Sequence, residues 1–337
     1  MSWMDDHDQP SYRADQMWHW LYKELTTDIE AITTLPEDLR HTAKEFFNLA
    51  SLTPVQSLSS SDDRTEKTLF QLDEGDEYVE AVLMHYSRQR RTACISTQSG
   101  CAMGCVFCAT GQMGFRRHLS AGEIIEQVLH FERKLRAKSQ RLTKVVVMGM
   151  GEPLHNYEAT LEALDRLNDH DGFNFGARRT TISTVGLVPA IERYTREDRP
   201  YNLAVSLHAV DDDLRASMLP INKRYPLKEL RAACQRYVNQ SGRRLTFEWA
   251  LVRDVNDNID HAEALAKWIN NMLCHVNLIP LNPTQGYPGE PTPTERANAF
   301  KERLQKHGIS CTIRMRRGID INAGCGQLAT EVEAGAR

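Results

Sequence analysis

The chain has 337 residues, beyond the roughly 250–300 at which one hydrophobic core stops growing, so a large domain with a smaller accessory region is expected. With 41% hydrophobic and 26% charged residues it has the make-up of a globular protein; no apolar run approaches the ~18 residues of a membrane span, and eight cysteines are too sparse for a disulfide scaffold. A net charge of −4 neither requires nor forbids a polyanionic partner, and Met1-Ser2-Trp3-Met4-Asp5-Asp6 lacks the basic stretch and apolar core of a signal peptide, so the expected compartment is the cytoplasm.

Residues 11–50 read as helical, with Ser11 as a cap, Met17, Trp20, Leu21 and Leu25 on one apolar face, and a second helix opening at Leu35-Pro36-Glu37. Ser57 to Asp63 reads as a polar loop, followed by strands at Lys67–Leu72 and Tyr78–Met84 joined around Gly75. From Thr92 onward strands alternate with helices. The strands are expected at Ala93–Ser96, Lys144–Met148, Thr180–Ser183, Asn202–Leu207, Leu245–Leu251, His275–Ile279 and Cys311–Arg314. Ser120-Ala121-Gly122-Glu123 and Thr292-Pro293-Thr294-Glu295 read as capping boxes, the first opening a helix with Ile124, Val128, Phe131 and Leu135 inward, the second a helix that ends before Gly308. Repeated βα units imply an α/β fold on a mainly parallel sheet. About six units suit a partial (β/α)6 barrel, although periodicity alone also admits an open doubly wound sheet. The expected organisation is a helical N-terminal domain at 1–50, a linking hairpin region at 51–90, the barrel at 91–290 and a C-terminal extension at 291–337.

The chemistry centres on Ser99-Gly100-Cys101-Ala102-Met103-Gly104-Cys105-Val106-Phe107-Cys108, a C-x3-C-x2-C loop just after the first barrel strand. Three thiolates in one loop can hold three irons of a 4Fe–4S cube and leave the fourth open to bind a substrate. A structural zinc site wants four ligands, often as two C-x2-C pairs, and no second pair is present. Cofactor sites in parallel α/β folds lie at the carboxyl ends of strands. Gly151 and Glu152, Ser183, Ser206-Leu207-His208 and Asn282 fall in order at such ends; each alone reads as an ordinary polar or turn residue, and together they read as a binding surface.

The cluster loop resembles that of the radical S-adenosylmethionine (SAM) superfamily. Cys94–Gln98, Met148–Pro153, Ser206–His208, Val276–Pro283, Arg317–Leu328 and the N-terminal Tyr12–Gln16 and Trp20–Tyr22 narrow the resemblance to the RlmN/Cfr family of radical SAM RNA methyltransferases, from about residue 10 to 330. The proline after Glu152 and the Leu281-Asn282-Pro283 run look more like the RlmN branch. This resemblance implies a 4Fe–4S cluster on Cys101, Cys105 and Cys108, SAM bound by Gly151, Glu152, Ser183, Ser206, Leu207, His208 and Asn282, and methylation at C2 of an adenosine in the peptidyl-transferase centre of 23S ribosomal RNA and at the adenosine 3′ of a tRNA anticodon. It further implies that Cys325 takes a methyl group from one SAM and that a radical made from a second SAM activates that group for addition to the ring. Cys94 then releases the product by forming a disulfide with Cys325, and Glu80 accepts the ring proton. An external flavodoxin- or ferredoxin-like donor would supply electrons.

By spacing alone Cys94 and Cys325 would read as a buried strand thiol and a tail thiol; Cys234, Cys274 and Cys311 read as structural. Arg88-Gln89-Arg90-Arg91, Arg116-Arg117-His118 and Arg314-Met315-Arg316-Arg317 are candidate phosphate or base contacts. The alternatives are C8 methylation, as in Cfr, a radical SAM activating enzyme, and an electron-transfer protein with a fully ligated cluster.

Overall fold

The computed structural model describes residues 2–49, 51–73, 76–87 and 89–330. Strands are β1 (Leu52–Ser59), β2 (Thr65–Leu72), β3 (Tyr78–His85), β4 (Arg91–Ile95), β5 (Gln98–Gly100), β6 (Phe115–His118), β7 (Lys144–Val147), β8 (Thr180–Thr184), β9 (Asn202–Ser206), β10 (Leu245–Leu251), β11 (Cys274–Pro280) and β12 (Cys311–Ile313). One ten-stranded sheet runs β1-β2-β3-β4-β7-β8-β9-β10-β11-β12, and β5 pairs with β6 in a separate hairpin. From β4 to β12 every neighbouring pair in the large sheet is parallel. The helices Ala121–Arg136, Tyr157–Asn168, Val188–Arg196, Leu227–Ser241, Ile259–Trp268 and Thr294–Lys306 make the six crossovers. Edge strands β1 and β12 do not pair, so the sheet is open, a partial barrel of six βα units closed off by β12.

The central parallel strands turn one face to the helices with buried Val145, Val147, Leu203, Val205, Phe247 and Trp249, each pair at i, i+2. The expected hairpin forms from β2 and β3, but the expected loop at Ser57–Asp63 is shortened at its start. Ser57–Ser59 belong to β1, and β1, β2 and β3 are antiparallel and continue the barrel sheet, with Val82 opposite Cys94. Ser57 to Ser59 look like a loop because β1 is a largely exposed edge, where polar side chains are the rule; Ser57 Oγ bonds Thr68 Oγ1 at 3.1 Å. The expected joint at Gly75 lies outside the described residues.

At the N-terminus, Tyr12–His19 is α-helical and Trp20–Glu24 continues as a π-turn. Ser11 makes no capping bond, because it already has helical backbone angles. The expected apolar face divides between two cores. Met17 joins Met4, Ile32, Leu35 and Leu39 in a small cluster, whereas Tyr22 and Leu25 belong to the main core, against which Leu21 packs.

The capping box at Ser120 forms: Glu123 N–H donates to Ser120 Oγ at 3.2 Å and Ser120 N–H to the Glu123 carboxylate at 2.8 Å. The one expected at Thr292 does not, because the Thr292 hydroxyl donates instead to buried Asp257 at 2.9 Å. Helix Ala121–Arg136 also fixes the strand that leads into the cysteine loop. Gln127, fully buried, accepts from Ser96 N–H at 2.8 Å and donates to the Ser96 carbonyl at 3.0 Å, acting as one more rung beyond the end of β4. Replacing Gln127 by Ala strands both backbone groups, and should lower unfolding stability in urea by on the order of 2–4 kcal/mol, against about 1 kcal/mol for Ser120→Ala.

Candidate functional site

The cysteine loop is anchored at both ends. Thr97 N–H donates to the Met150 carbonyl at 2.8 Å, Cys101 N–H to the Gly114 carbonyl at 2.9 Å and Val106 N–H to the Met218 carbonyl at 3.1 Å. Gly100 has φ +69°, and a β-carbon there would lie 1.9 Å from the Gly114 oxygen, so only glycine lets the loop leave the β5–β6 hairpin. Cys101, Cys105 and Cys108 all line one cavity. Burial pushes the Cys101 thiol up to about 12 and that of Cys105 well above its usual value; Cys108 is raised by burial and partly relieved by N–H bonds from Gly111 and Thr110. Among the described residues no three His, Cys, Asp or Glu side chains converge as ligands of a single ion. Three soft thiols spread along one wall suit the three corners of an iron–sulfur cube.

The same cavity is lined by Gly151, Glu152, Ser183, Ser206, His208 and Asn282, contributed by the ends of β7, β8, β9 and β11. Gly151 has φ +96°, and a β-carbon would fall 2.6 Å from the Gln98 side chain. Glu152 is buried, its carboxylate accepting from Val185 N–H at 2.8 Å and Leu154 N–H at 3.1 Å; burial raises its pKa to about 7 despite these bonds. His208, buried and with φ +59°, accepts the Ala250 N–H on Nδ1 at 2.8 Å, and burial lowers its pKa to about 3. Leu207 is fully buried and does not line the cavity; its backbone N–H bonds the Glu248 carbonyl at 3.0 Å.

Cys325 also lines this cavity, and with Cys94, Cys108 and Arg314 it lines a smaller one that adjoins it. Both Cys94 and Cys325 are free thiols. Cys94, on β4, is pushed up to about 12 by burial. Cys325 exposes surface, but the cavity walls around it still raise its thiol. Arg314, just past β12, offsets burial at both sulfurs with its charge; Glu248, itself raised by burial and bonded by Asn277 at 2.7 Å, faces the same guanidinium. Asn282 holds the Cys325 loop in place, donating to the Cys325 carbonyl at 3.0 Å, and Ala109 N–H donates to the Gly326 carbonyl at 2.7 Å.

Glu80 is brought to a different wall. It is buried, pairs with Lys67 at 2.7 Å, accepts from Ala329 N–H at 3.0 Å, and lines a separate polar cavity of about 1,100 Å³ with Gln112, Asn322 and Gln327. Residues of one C-terminal segment line both sides: Cys325 and Gly326 the first cavity, Gln327 and Ala329 the second. Beside Cys325 a further pocket is lined by Tyr86, Arg316 and Arg317, and both Arg90 and Arg317 stack on the Tyr86 ring, at 3.9 and 4.7 Å. Arg117 forks onto Glu123 at 2.6 and 3.0 Å, and Arg88 lies outside the described residues. Cys234 and Cys311 are buried in the main core and Cys274 packs against it. Arg314, expected as a phosphate or base contact, instead faces Cys94 and Cys325, and nothing in the local sequence marks Gln98, Glu248 or Arg215. Only the position of Arg314 straight after a barrel strand signalled an inward role.

Residues 95–269 match the Radical SAM superfamily, and residues 1–49 match the Ribosomal RNA large subunit methyltransferase N-terminal domain. The chain is 48% identical over 97% of its length, and 90% of the relative, to the protein named dual-specificity RNA methyltransferase RlmN 1 of Myxococcus xanthus. The chain belongs to the RlmN family. A radical SAM methyltransferase from Sphaerobacter thermophilus has the same fold, with a TM-score of 0.95 and 49% identity over 98% of this chain and 96% of that one. A probable dual-specificity RNA methyltransferase RlmN of Chloroflexus aurantiacus is 45% identical over 95% of this chain and 88% of its own. As a radical SAM methyltransferase of the RlmN family, the chain uses a 4Fe–4S cluster and SAM. Among the described residues no helix is long and apolar enough to cross a membrane.

The state of His208 gives a pH signature. The unfolded chain takes up a proton there near the ordinary 6.5, whereas the folded protein resists it down to about 3, so stability falls as pH drops through that window. The slope is about 1.4 kcal/mol per pH unit. His208→Asn should lose less stability than the parent between roughly pH 6.5 and pH 4.5 in urea unfolding of the metal-free protein.

Proposed function

We propose that this RlmN-family enzyme methylates C2 of an adenosine in the peptidyl-transferase centre of 23S ribosomal RNA and the adenosine 3′ of the anticodon in tRNA, working in the cytoplasm with a flavodoxin- or ferredoxin-like electron donor. One observation carries the reading: Cys325 and Arg314 line one cavity with the three thiols of the cysteine loop, while Cys94 reaches Cys325 from an adjoining pocket. The names of the relatives support RNA as the substrate.

Cys101, Cys105 and Cys108 would hold the cluster, which together with SAM supplies a hydrogen-abstracting radical. Glu152 offers a buried carboxylate for the SAM ammonium, and Ser183, Ser206, His208 and Asn282 offer polar groups around it, with Gly151 giving close backbone approach. Cys325 acts first as a nucleophile: its sulfur forms a bond to the SAM methyl carbon as the carbon–sulfonium bond breaks and S-adenosylhomocysteine leaves. The Arg314 charge favours the thiolate this step needs, against the burial that opposes it. C2 of adenine is electron-poor, so the methyl carbon is joined to it by radical addition rather than by direct displacement. Glu80 then accepts the ring proton. Cys94, as its thiolate, attacks the Cys325 sulfur, forming a disulfide as the sulfur–carbon bond to the adduct breaks. The released carbon takes up a proton to become the methyl group, the adduct's one surplus electron would pass to the cluster, and two electrons from the external donor would return the disulfide to thiols.

Glu80 lies across the C-terminal segment from Cys325, so the base step requires that the segment Gly324–Ala329 shift when RNA enters. The target adenine must be splayed out of its loop to reach Cys325, and the Arg90, Arg316 and Arg317 guanidinium groups near that opening suit the flanking phosphates.

Cys325→Ala should reduce RNA methylation to background while keeping iron and sulfide uptake; retained methylation would refute the cysteine route. Cys94→Ala should leave RNA covalently attached to the protein on a denaturing gel. Mass spectrometry of the methylated RNA fragments separates the isomers, and a product methylated at C8 alone would overturn the C2 assignment.

A further inference from the structure

Helix Asp212–Met218 carries Arg215, whose side chain has no exposed surface. Its Nε donates to the Leu207 carbonyl at 3.0 Å, one terminal nitrogen to the carbonyls of Val185 and Ser206 at 2.7 and 3.1 Å, and the other to Asn222 Oδ1 at 2.8 Å. All of these acceptors are neutral. Among the described residues no carboxylate lies within ion-pair distance of the guanidinium. Asp212 is reached only through Asn222, whose Nδ2 donates to it at 2.7 Å. A guanidinium is charged at any ordinary pH, and burying it without a paired anion is strongly unfavourable.

The cysteine loop lies on the other side of Arg215. The same helix ends beneath the cysteine loop, where Val106 N–H donates to the Met218 carbonyl at 3.1 Å, and Met103, Cys105 and Phe107 pack against Met218 and Leu219 and their neighbours. Burial is the main influence on Arg215, lowering its pKa to about 10, and the first acidic group acting against that is the Cys105 thiol.

We propose that Arg215 is the buried counter-charge of the iron–sulfur cluster and raises its reduction potential. A 4Fe–4S cube held by three thiolates is anionic in its resting state, and it gains a further negative charge when an external one-electron donor reduces it, with no bond formed or broken. A fixed cation behind the Cys105 loop stabilises the reduced form more than the oxidised one. Arg215 does not touch SAM or RNA in this role. The inference rests on the assignment of Cys101, Cys105 and Cys108 as cluster ligands.

The competing role is a purely structural staple joining the ends of β8 and β9. A redox titration followed by electron paramagnetic resonance, on the full chain with its cluster reconstituted, separates the two. Arg215→Gln should move the cluster to a more negative potential, and Arg215→Lys, which loses much the same contacts but keeps the charge, should return it toward the parent value. Asn222→Asp places a carboxylate against the guanidinium with Arg215 still packed, and should also move the potential negative; it decides the question if Arg215→Gln does not fold. Equal potentials for the Lys and Gln variants, or a parent value for Asn222→Asp, would overturn the proposal. A parent chain that takes up no iron and sulfide would instead refute the ligand assignment.

Discussion

The thiols of Cys94, Cys101 and Cys105 and the carboxyl group of Glu152 sit where the barrel walls have displaced water, and burial pushes each of them toward its neutral form. Each becomes an anion only when positive charge arrives to replace the lost hydration. On the proposed assignments iron would do this for the loop cysteines and the ammonium group of SAM for Glu152. Cys94 and Cys325 have a permanent source in Arg314. Desolvation thus makes the site selective as well as reactive, because groups that are inert alone become competent once the proper partners are bound.

The parallel sheet supplies this geometry. Its strands end together at one rim, so β7, β8, β9 and β11 deliver their polar termini to one cavity from widely separated stretches of sequence. Two side-chain devices keep the rim in register. Gln127 extends β4 by a rung, and Gln98 accepts the Glu152 N–H at 2.8 Å, tying the cysteine hairpin to the glycine-rich turn after β7. The C-terminal segment then closes over the rim, held by Asn282, Ala109, Thr110, Pro283 and Glu80.

Local signals carried most of the fold. The alternation of apolar strands and capped helices foretold every parallel strand to within two residues at either end, and the capping box at Ser120 forms as its spacing requires. The failures came where tertiary contacts override local pattern: β1 is polar because it is an edge, Ser11 is drawn into helical geometry, and Thr292 is claimed by Asp257. At the site, the cysteine loop was legible because its spacing is itself the chemistry. Cys94 and Cys325 are far apart in sequence and carry no local signal, so only family resemblance singled them out. Buried Arg215 and half-buried Arg314 were missed as site charges because arginine in a polar stretch reads as surface, and their enclosure arises only when the strand ends are assembled.

The division of labour between the cysteine loop and Cys325 is the central claim, and the origin of the transferred carbon tests it most directly. Enzyme produced with carbon-13 methyl-labelled methionine would be freed of SAM, then given unlabelled SAM, a reductant and an RNA fragment for a single turnover. The account predicts that the methyl carbon in the first RNA product is carbon-13 and that the Cys325 peptide loses that mass in step. An unlabelled RNA methyl group, with the Cys325 peptide unchanged, would show direct transfer from SAM and contradict it.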